Sequence, residues 1–193
     1  MASNAGYVNY FETLGLADGA NPGEARKVYK RMMKKLVQDI ARTEITPDKR
    51  SAFILDVARL NAACFVLKDK DRREIYWAER EALIAMEAEW CALDESDTEA
   101  HEKIRGNFDS RVRSFLSKYV EEMTLTAGQD REILEASHWD EAHARYATSL
   151  LRYYRQHLYN DILERLPYHE VTKPKIDWVE RQSTVVELLG GLC

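Results

Sequence analysis

Residues that interrupt helices are scarce in this sequence, which has only four Pro and eight Gly among 193 residues. Charged residues make up 32% of the chain, and a content this high suits long solvated helices better than β-sandwiches. The hydrophobic content of 45% is enough to build a core. These proportions predict an all-α protein of one domain or two small ones.

Cysteine is also rare, and the three cysteines, Cys64, Cys91 and Cys193, lie far apart. The sequence has no CxxC pair, which argues against a zinc site or a disulfide framework. We therefore expect Cys64 and Cys91 to be small apolar core residues and Cys193 to be a thiol in the tail.

Long apolar runs are missing too. No segment approaches the ~20 apolar residues that a helix needs to cross a membrane. The N-terminus lacks the basic and then apolar pattern of a secretory signal. We expect a soluble, cytoplasmic protein with no membrane span.

Charge is divided unevenly along the chain. Residues 1–70 carry 12 Lys and Arg against 8 Asp and Glu, whereas residues 71–193 carry 16 against 25. A basic N-terminal part joined to an acidic remainder suggests two units with different partners.

The sequence between Asn21 and Arg42 predicts one long basic helix. Asn21 can cap it, Pro22 suits its first position and Glu24 completes a capping box. The next proline is Pro47, so we expect the helix to continue to about Arg42. Its apolar stripe consists of Val28, Tyr29, Met32, Met33, Leu36 and Ile40. Its opposite face carries six cations: Arg26, Lys27, Lys30, Arg31, Lys34 and Lys35.

Two further helices flank this one. Residues 7–16 form a short apolar segment that Gly15 should end. A third helix should start at Thr46 and Pro47 by the same logic of a cap followed by a proline. Its stripe is Phe53, Val57, Leu60, Cys64 and Leu67, and a turn at residues 68–71 precedes Arg73 and Tyr76.

The order of these segments over residues 7–80 resembles a J-domain, the module by which DnaJ-type co-chaperones stimulate DnaK-type ATPases. In that family the loop after the basic helix reads His-Pro-Asp, whereas this chain has Val37-Gln38-Asp39. Val37 cannot supply the polar contact of a histidine, and Gln38 cannot restrain the backbone as proline does. The resemblance therefore implies a degenerate J-like hairpin that has lost its trigger. The alternative is an ordinary helical hairpin whose J-like pattern is accidental.

The resemblance implies a role for the basic face, because the matching face of J-domains steers docking onto an acidic chaperone surface. One alternative is an ordinary solvated helix face. Nucleic acid is a weaker alternative, since the chain is acidic overall and no stacking aromatic residues lie between these cations.

Residues 81–193 should form a helical bundle continuous with the last J-like helix. An apolar seam of a helical hairpin or short coiled coil contains Tyr76, Leu83, Met86, Trp90 and Leu93. A capping box at residues 96–99 opens a helix with Ile104, Phe108, Val112, Phe115, Tyr119 and Met123 on one face. The next helix should begin near Ser137, with a stripe of Ala142, Tyr146, Leu150, Tyr153 or Tyr154, Leu158, Ile162 and Leu166. A last helix should begin at residues 172–174.

No pattern predicts catalysis, a cofactor or a metal. Glu135 and Asp140 each precede a histidine by three residues, a spacing used in di-metal bundles, but those sites need it on two different helices. We interpret both pairs as capping acids beside surface histidines. Tyr153, Tyr154 and Trp178 are either core residues or part of an interface.

The sequence thus predicts a non-catalytic J-like interaction or adaptor protein. Its partner would be a DnaK-type chaperone, a J-protein or a subunit of a larger assembly. The alternative is a structural subunit of a multiprotein complex that has no link to chaperones.

Overall fold

The computed structural model describes residues 7–44, 46–93 and 98–166. Within these ranges the chain is helical and contains no strand, which confirms the predicted all-α class. The elements are α1 (Tyr10–Thr13), α2 (Pro22–Arg42), α3 (Pro47–Leu67), α4 (Lys70–Ala92), α5 (Thr98–Leu116), a π-helical segment (Ser117–Glu122), α6 (Met123–Ala127), α7 (Arg131–Ser137) and α8 (Glu141–Arg165).

The start and the end of α2 are both as predicted. The Asn21 side chain accepts a hydrogen bond from the Glu24 backbone N–H at 3.0 Å, and the Glu24 carboxylate accepts one from the Asn21 N–H at 3.1 Å. The helix then continues without a break to Arg42. Since no proline occurs before Pro47, nothing in the local sequence ends the helix at residues 37–39.

The third helix, α3, is the centre of the fold. Every side chain from Leu60 to Leu67 is buried, and α3 packs against α1, α2, α4, α6, α7, α8 and the π segment. A helical stretch that has apolar side chains on every side is stable only when neighbouring elements bury it. The buried residues form one continuous core, to which the chain contributes both before and after residue 80. Residue 80 itself lies within α4. The division into two domains at residue 80 stays a prediction.

Three tyrosines join α1 to the rest of the core. The Tyr10 N–H donates to the Tyr76 hydroxyl at 2.9 Å, and that hydroxyl donates to the Val8 carbonyl at 2.6 Å. The Tyr10 hydroxyl donates to the Tyr119 carbonyl inside the π segment. This bond attaches α1 to the helix of residues 98–127 through the π segment.

The C-terminal helices differ from the sequence prediction in two ways. Residues 131–137 form the separate short helix α7, and α8 begins at Glu141 rather than near Ser137. The register of α8 also differs: Leu151 is buried where Leu150 was predicted, and Tyr146 is exposed. The Tyr146 hydroxyl lies 2.8 Å from Ser51 Oγ at the surface, so this ring lies at the edge of the contact between α8 and α3.

The remaining predictions for apolar residues divide as follows. Cys64 is buried as predicted, but the prediction for Cys91 is wrong, because it lies exposed in the last turn of α4. Tyr153 is 77% exposed and its neighbour Tyr154 packs against the core. Cys193, Trp178 and the predicted last helix lie outside the described residues. In the described ranges, no helix is long and apolar enough to cross a membrane.

Candidate protein-docking face

The six predicted cations occupy the outer side of α2, and all are exposed: Arg26, Lys27, Lys30, Arg31, Lys34 and Lys35. The opposite side of the helix buries Ala25, Tyr29 and Met33 in the core. Because side chains three and four positions apart are neighbours on a helix surface, these cations form a continuous strip.

One edge of this strip is paired within the molecule. The Glu132 carboxylate of α7 lies 3.1 Å from Lys30 Nζ and 3.8 Å from Arg26 Nε. Hydrogen bonding from Lys30, with the nearby Lys68 ammonium, lowers the pKa of Glu132. Arg26 and Lys30 therefore help to attach α7 to α2.

Lys68, which directly follows α3, also pairs with the carboxylates at the start of α7. Its side chain is only 9% exposed, and its Nζ lies 2.6 Å from Asp130 and 3.4 Å from Glu132. Burial alone would raise the pKa of Asp130, but hydrogen bonds from Lys68 and from the Ile133 N–H outweigh it and lower the pKa. This cluster was not predicted from the sequence, because it joins residues more than 60 positions apart. Asp130 as the N-cap of α7 was the available local signal.

The other edge of the strip differs in its ion pairing. Lys27, Arg31, Lys34 and Lys35 make no ion pair with any residue in the described ranges. We call these four residues the open basic face. Within the part of the chain that the structure describes, these four charges have no carboxylate partner and are exposed.

The three residues at the degenerate trigger lie inside α2 and point in different directions. Val37 is half-buried and lines a groove on the side of α7 and α8. Asp39 lines a separate cavity on the opposite flank of the helix, and Gln38 between them is exposed. Successive helical positions diverge by about 100°, so this tripeptide presents no common surface.

Asn61 and Arg73, which lie within the J-like residues 7–80, each make a hydrogen bond to a distant part of the chain. The Tyr29 hydroxyl donates to Asn61 Oδ1 at 2.8 Å, and the Asn61 amide donates to Ser137 Oγ at 3.3 Å. Arg73 donates to the Ala20 carbonyl at 3.0 Å. The contacts of Asn61 satisfy buried polar groups, and the bond of Arg73 is partly buried, so both residues have a structural role.

The two acid–histidine pairs have ordinary helix-end roles. Asp140 caps α8 by accepting the His143 N–H at 2.8 Å, and His143 Nδ1 accepts the Asp140 N–H at 3.3 Å. Glu135 pairs with Arg131 at 2.9 Å, and His138 ends α7 in the left-handed conformation. The part of the chain that the structure describes contains no group of three His, Cys, Asp or Glu placed to hold a metal ion.

Comparison with protein-family models, with curated proteins and with solved structures found no match to this chain. The resemblance to a J-domain stays a prediction from the sequence pattern.

Proposed function

We propose that this protein is a non-catalytic docking protein whose open basic face binds an acidic surface of a partner protein. The observation that carries the proposal is the contrast between the two edges of α2. Arg26 and Lys30 have an internal carboxylate, whereas the four cations beside them have none in the described ranges. A strip of one charge sign raises the rate of encounter with an oppositely charged surface and orients it.

The partner that we propose is a DnaK-type chaperone or a J-protein. The support is the order of the capped basic helix, the second capped helix, Arg73 and Tyr76, which resembles a J-domain. The helical conformation of Val37-Gln38-Asp39 adds to the proposal that docking occurs without stimulation of ATP hydrolysis. A structural subunit with no chaperone link is the alternative that the following experiment separates.

The test uses the full chain in which Lys27, Arg31, Lys34 and Lys35 are all changed to Glu. A matched control changes four other exposed cations, Lys103, Arg105, Arg111 and Arg152, to Glu, which alters the net charge equally. Binding to a purified DnaK-type chaperone and to a purified J-protein is measured by surface plasmon resonance. We expect the first variant to lose at least about tenfold in affinity and the control to bind like the wild type.

Two outcomes would contradict the proposal. If the wild type binds neither protein, the chaperone link fails and the structural-subunit alternative is favoured. If both variants bind as the wild type does, the open basic face is not the docking surface. In a single-turnover assay, we expect no increase in the rate of ATP hydrolysis by the DnaK-type chaperone.

A further inference from the structure

An apolar groove lies where α2 ends and α3 begins, against the corner between α7 and α8. Its floor is formed by Val37 and Ile40 of α2 and by Phe53, Ile54 and Val57 of α3. The cavity has a volume of about 500 Å³. We call it the α2–α3 groove.

The described parts of the chain cover the floor of the groove only in part. Val57 is buried, but Val37, Ile40, Phe53 and Ile54 are only half-buried. On one side the groove is closed by the buried ring of Trp139, which stacks on His143 with ring centroids 5.6 Å apart. The groove thus has a wall formed by a buried ring and an apolar floor that the described residues leave partly exposed.

The charges around this floor favour an acidic occupant. Arg50 lines the groove, is exposed, and makes no ion pair within the described ranges. Lys34 of the open basic face precedes Val37 by three residues, so the two side chains are neighbours on the helix surface. The carboxylate that lines the groove, Asp140, is already engaged as the cap of α8. Arg50 and Lys34 make no ion pair within the described ranges, whereas the Asp140 carboxylate is directed at the N-terminus of α8, which it stabilises.

The secondary structure of the surroundings limits the form of the occupant. The groove is lined by helices, and the described residues contain no strand whose edge could pair with an added strand. A segment that enters an apolar groove must then satisfy its own backbone hydrogen bonds. An amphipathic helix does so and presents side chains at intervals of three and four residues to such a groove.

We propose that the α2–α3 groove binds an amphipathic helical segment of a partner protein, with large apolar side chains facing the groove and carboxylates beside them. This inference rests on the proposed docking function and specifies the chemistry of the segment that docks. The apolar side chains would cover Phe53 and Ile54, and the carboxylates would meet Arg50 and Lys34.

The test uses three synthetic peptides of about 16 residues with the same helical stripe of Leu and Phe. The remaining positions are mostly Glu in the first peptide, Lys in the second and Gln in the third. Binding of each labelled peptide to the full chain is measured by fluorescence anisotropy. We expect the Glu peptide to bind best and the Lys peptide to bind at least about tenfold more weakly.

Three variants assign any binding to the groove. Phe53→Ser removes the apolar floor, and Arg50→Glu reverses a charge at the rim while the core stays intact. Ile75→Ser is the matched control, because Ile75 is an apolar residue of α4 that is 52% exposed. We expect each groove variant to weaken binding of the Glu peptide at least about tenfold and the control to leave it unchanged. Circular dichroism confirms that each variant is folded.

Several results would overturn the proposal. These are no binding of the Glu peptide by the wild type, equal binding of the Glu and Lys peptides, or unchanged binding by Phe53→Ser and Arg50→Glu. A dimer in sedimentation that Phe53→Ser dissociates would assign the groove to a second copy of the chain instead. If the peptide result holds but neither chaperone nor J-protein binds, the proposed chaperone link fails and the groove inference survives.

Discussion

The two ends of the α2–α3 hairpin differ in burial, although the same two helices form both. At the inner end, α3 from Leu60 to Leu67 is buried on every side. At the outer end, every side chain from Pro47 to Asp56 is exposed or half-buried. The inner end is the core of the whole molecule, and the outer end presents the α2–α3 groove. The buried stretch of α3 and the α2–α3 groove thus lie at opposite ends of one pair of helices, so we expect substitutions in the groove to affect binding without opening the core.

The largest difference in the loss of stability is expected between alanine substitutions at two leucines of α3. Leu67→Ala should lower the free energy of unfolding by about 2–5 kcal/mol, because it opens a cavity in the fully packed inner end. Leu55→Ala, at the half-buried outer end, should cost less than half as much. Urea denaturation of both variants measures the two values. Equal losses would show that the two ends do not differ in packing.

The groove wall provides the next test, through a pair of glycines. A Cβ added at Gly128 would lie 2.8 Å from Trp139 Nε1, whereas one added at Gly106 would meet nothing within 4 Å. We expect Gly128→Ala to destabilise the protein by about 1–3 kcal/mol through overpacking. Gly106→Ala in the middle of α5 should stabilise it by about 0.5–1 kcal/mol. Thermal denaturation gives the sign of each change, and a neutral Gly128→Ala would mean that Trp139 packs loosely.

The inner end also contains a polar contact that can be tested. Tyr29→Phe removes the hydroxyl that donates to Asn61, so a buried acceptor loses its partner. This should lower the free energy of unfolding by about 1–3 kcal/mol. Tyr153→Phe is the control, since Tyr153 is 77% exposed and should change stability by less than about 0.5 kcal/mol. Similar values for the two variants in urea denaturation would argue against the buried contact.

Acid should weaken the attachment of α7 to the hairpin. The pKa values of Asp130 and Glu132 are lowered in the folded state from their ordinary values of 3.8 and 4.5. The stability that these two carboxylates contribute is therefore present above their ordinary pKa values, and it is lost as the pH falls through their lowered pKa values. We expect the free energy of unfolding to fall more steeply below pH 4.5 in the wild type than in Lys68→Met.

The matched control for this pH series is Lys70→Met. Lys70 pairs with Glu74 at 3.9 Å on the exposed surface of α4, and a pair of this kind contributes little to stability. This variant should keep the pH dependence of the wild type. If Lys68→Met also keeps it, the cluster around Lys68 is not the source of the acid sensitivity.

The smallest effects are expected on the basic strip itself. Lys34→Glu at the open basic face should change the free energy of unfolding by no more than about 0.5 kcal/mol. Lys30→Glu replaces the ammonium that lies 3.1 Å from the Glu132 carboxylate with a second carboxylate, and the lost ion pair and the new repulsion should cost more. Chemical denaturation at low salt compares the two. A larger loss for Lys34→Glu would show that the open basic face has an internal partner.

Local chemistry made part of this fold predictable. Asn21 with Glu24, and Thr46 with Pro47, determine where α2 and α3 begin through contacts within four residues, so the sequence pattern located both starts. The same pattern predicted that α2 passes through Val37-Gln38-Asp39, since no proline or glycine intervenes. The candidate cations also followed from helical spacing alone.

The missed features depend on contacts between distant parts of the chain. The Tyr10 hydroxyl of α1 bonds to the Tyr119 carbonyl of the π segment, 109 positions later in the chain. The register of α8, in which Leu151 rather than Leu150 is buried, follows from the packing of α8 on the core. Likewise, Cys91 is exposed although its neighbour Trp90 is buried in the core, because successive positions face different sides of α4.

The sequence by itself determined that the protein is helical, where α2 and α3 start, and that one face of α2 is basic, because these properties depend on neighbouring residues. Only the tertiary structure decided which cations are available. The placement of Glu132 beside Arg26 and Lys30 divides the strip into a paired edge and an open one. The groove is likewise tertiary, since its floor and its wall are brought together from segments far apart in the chain.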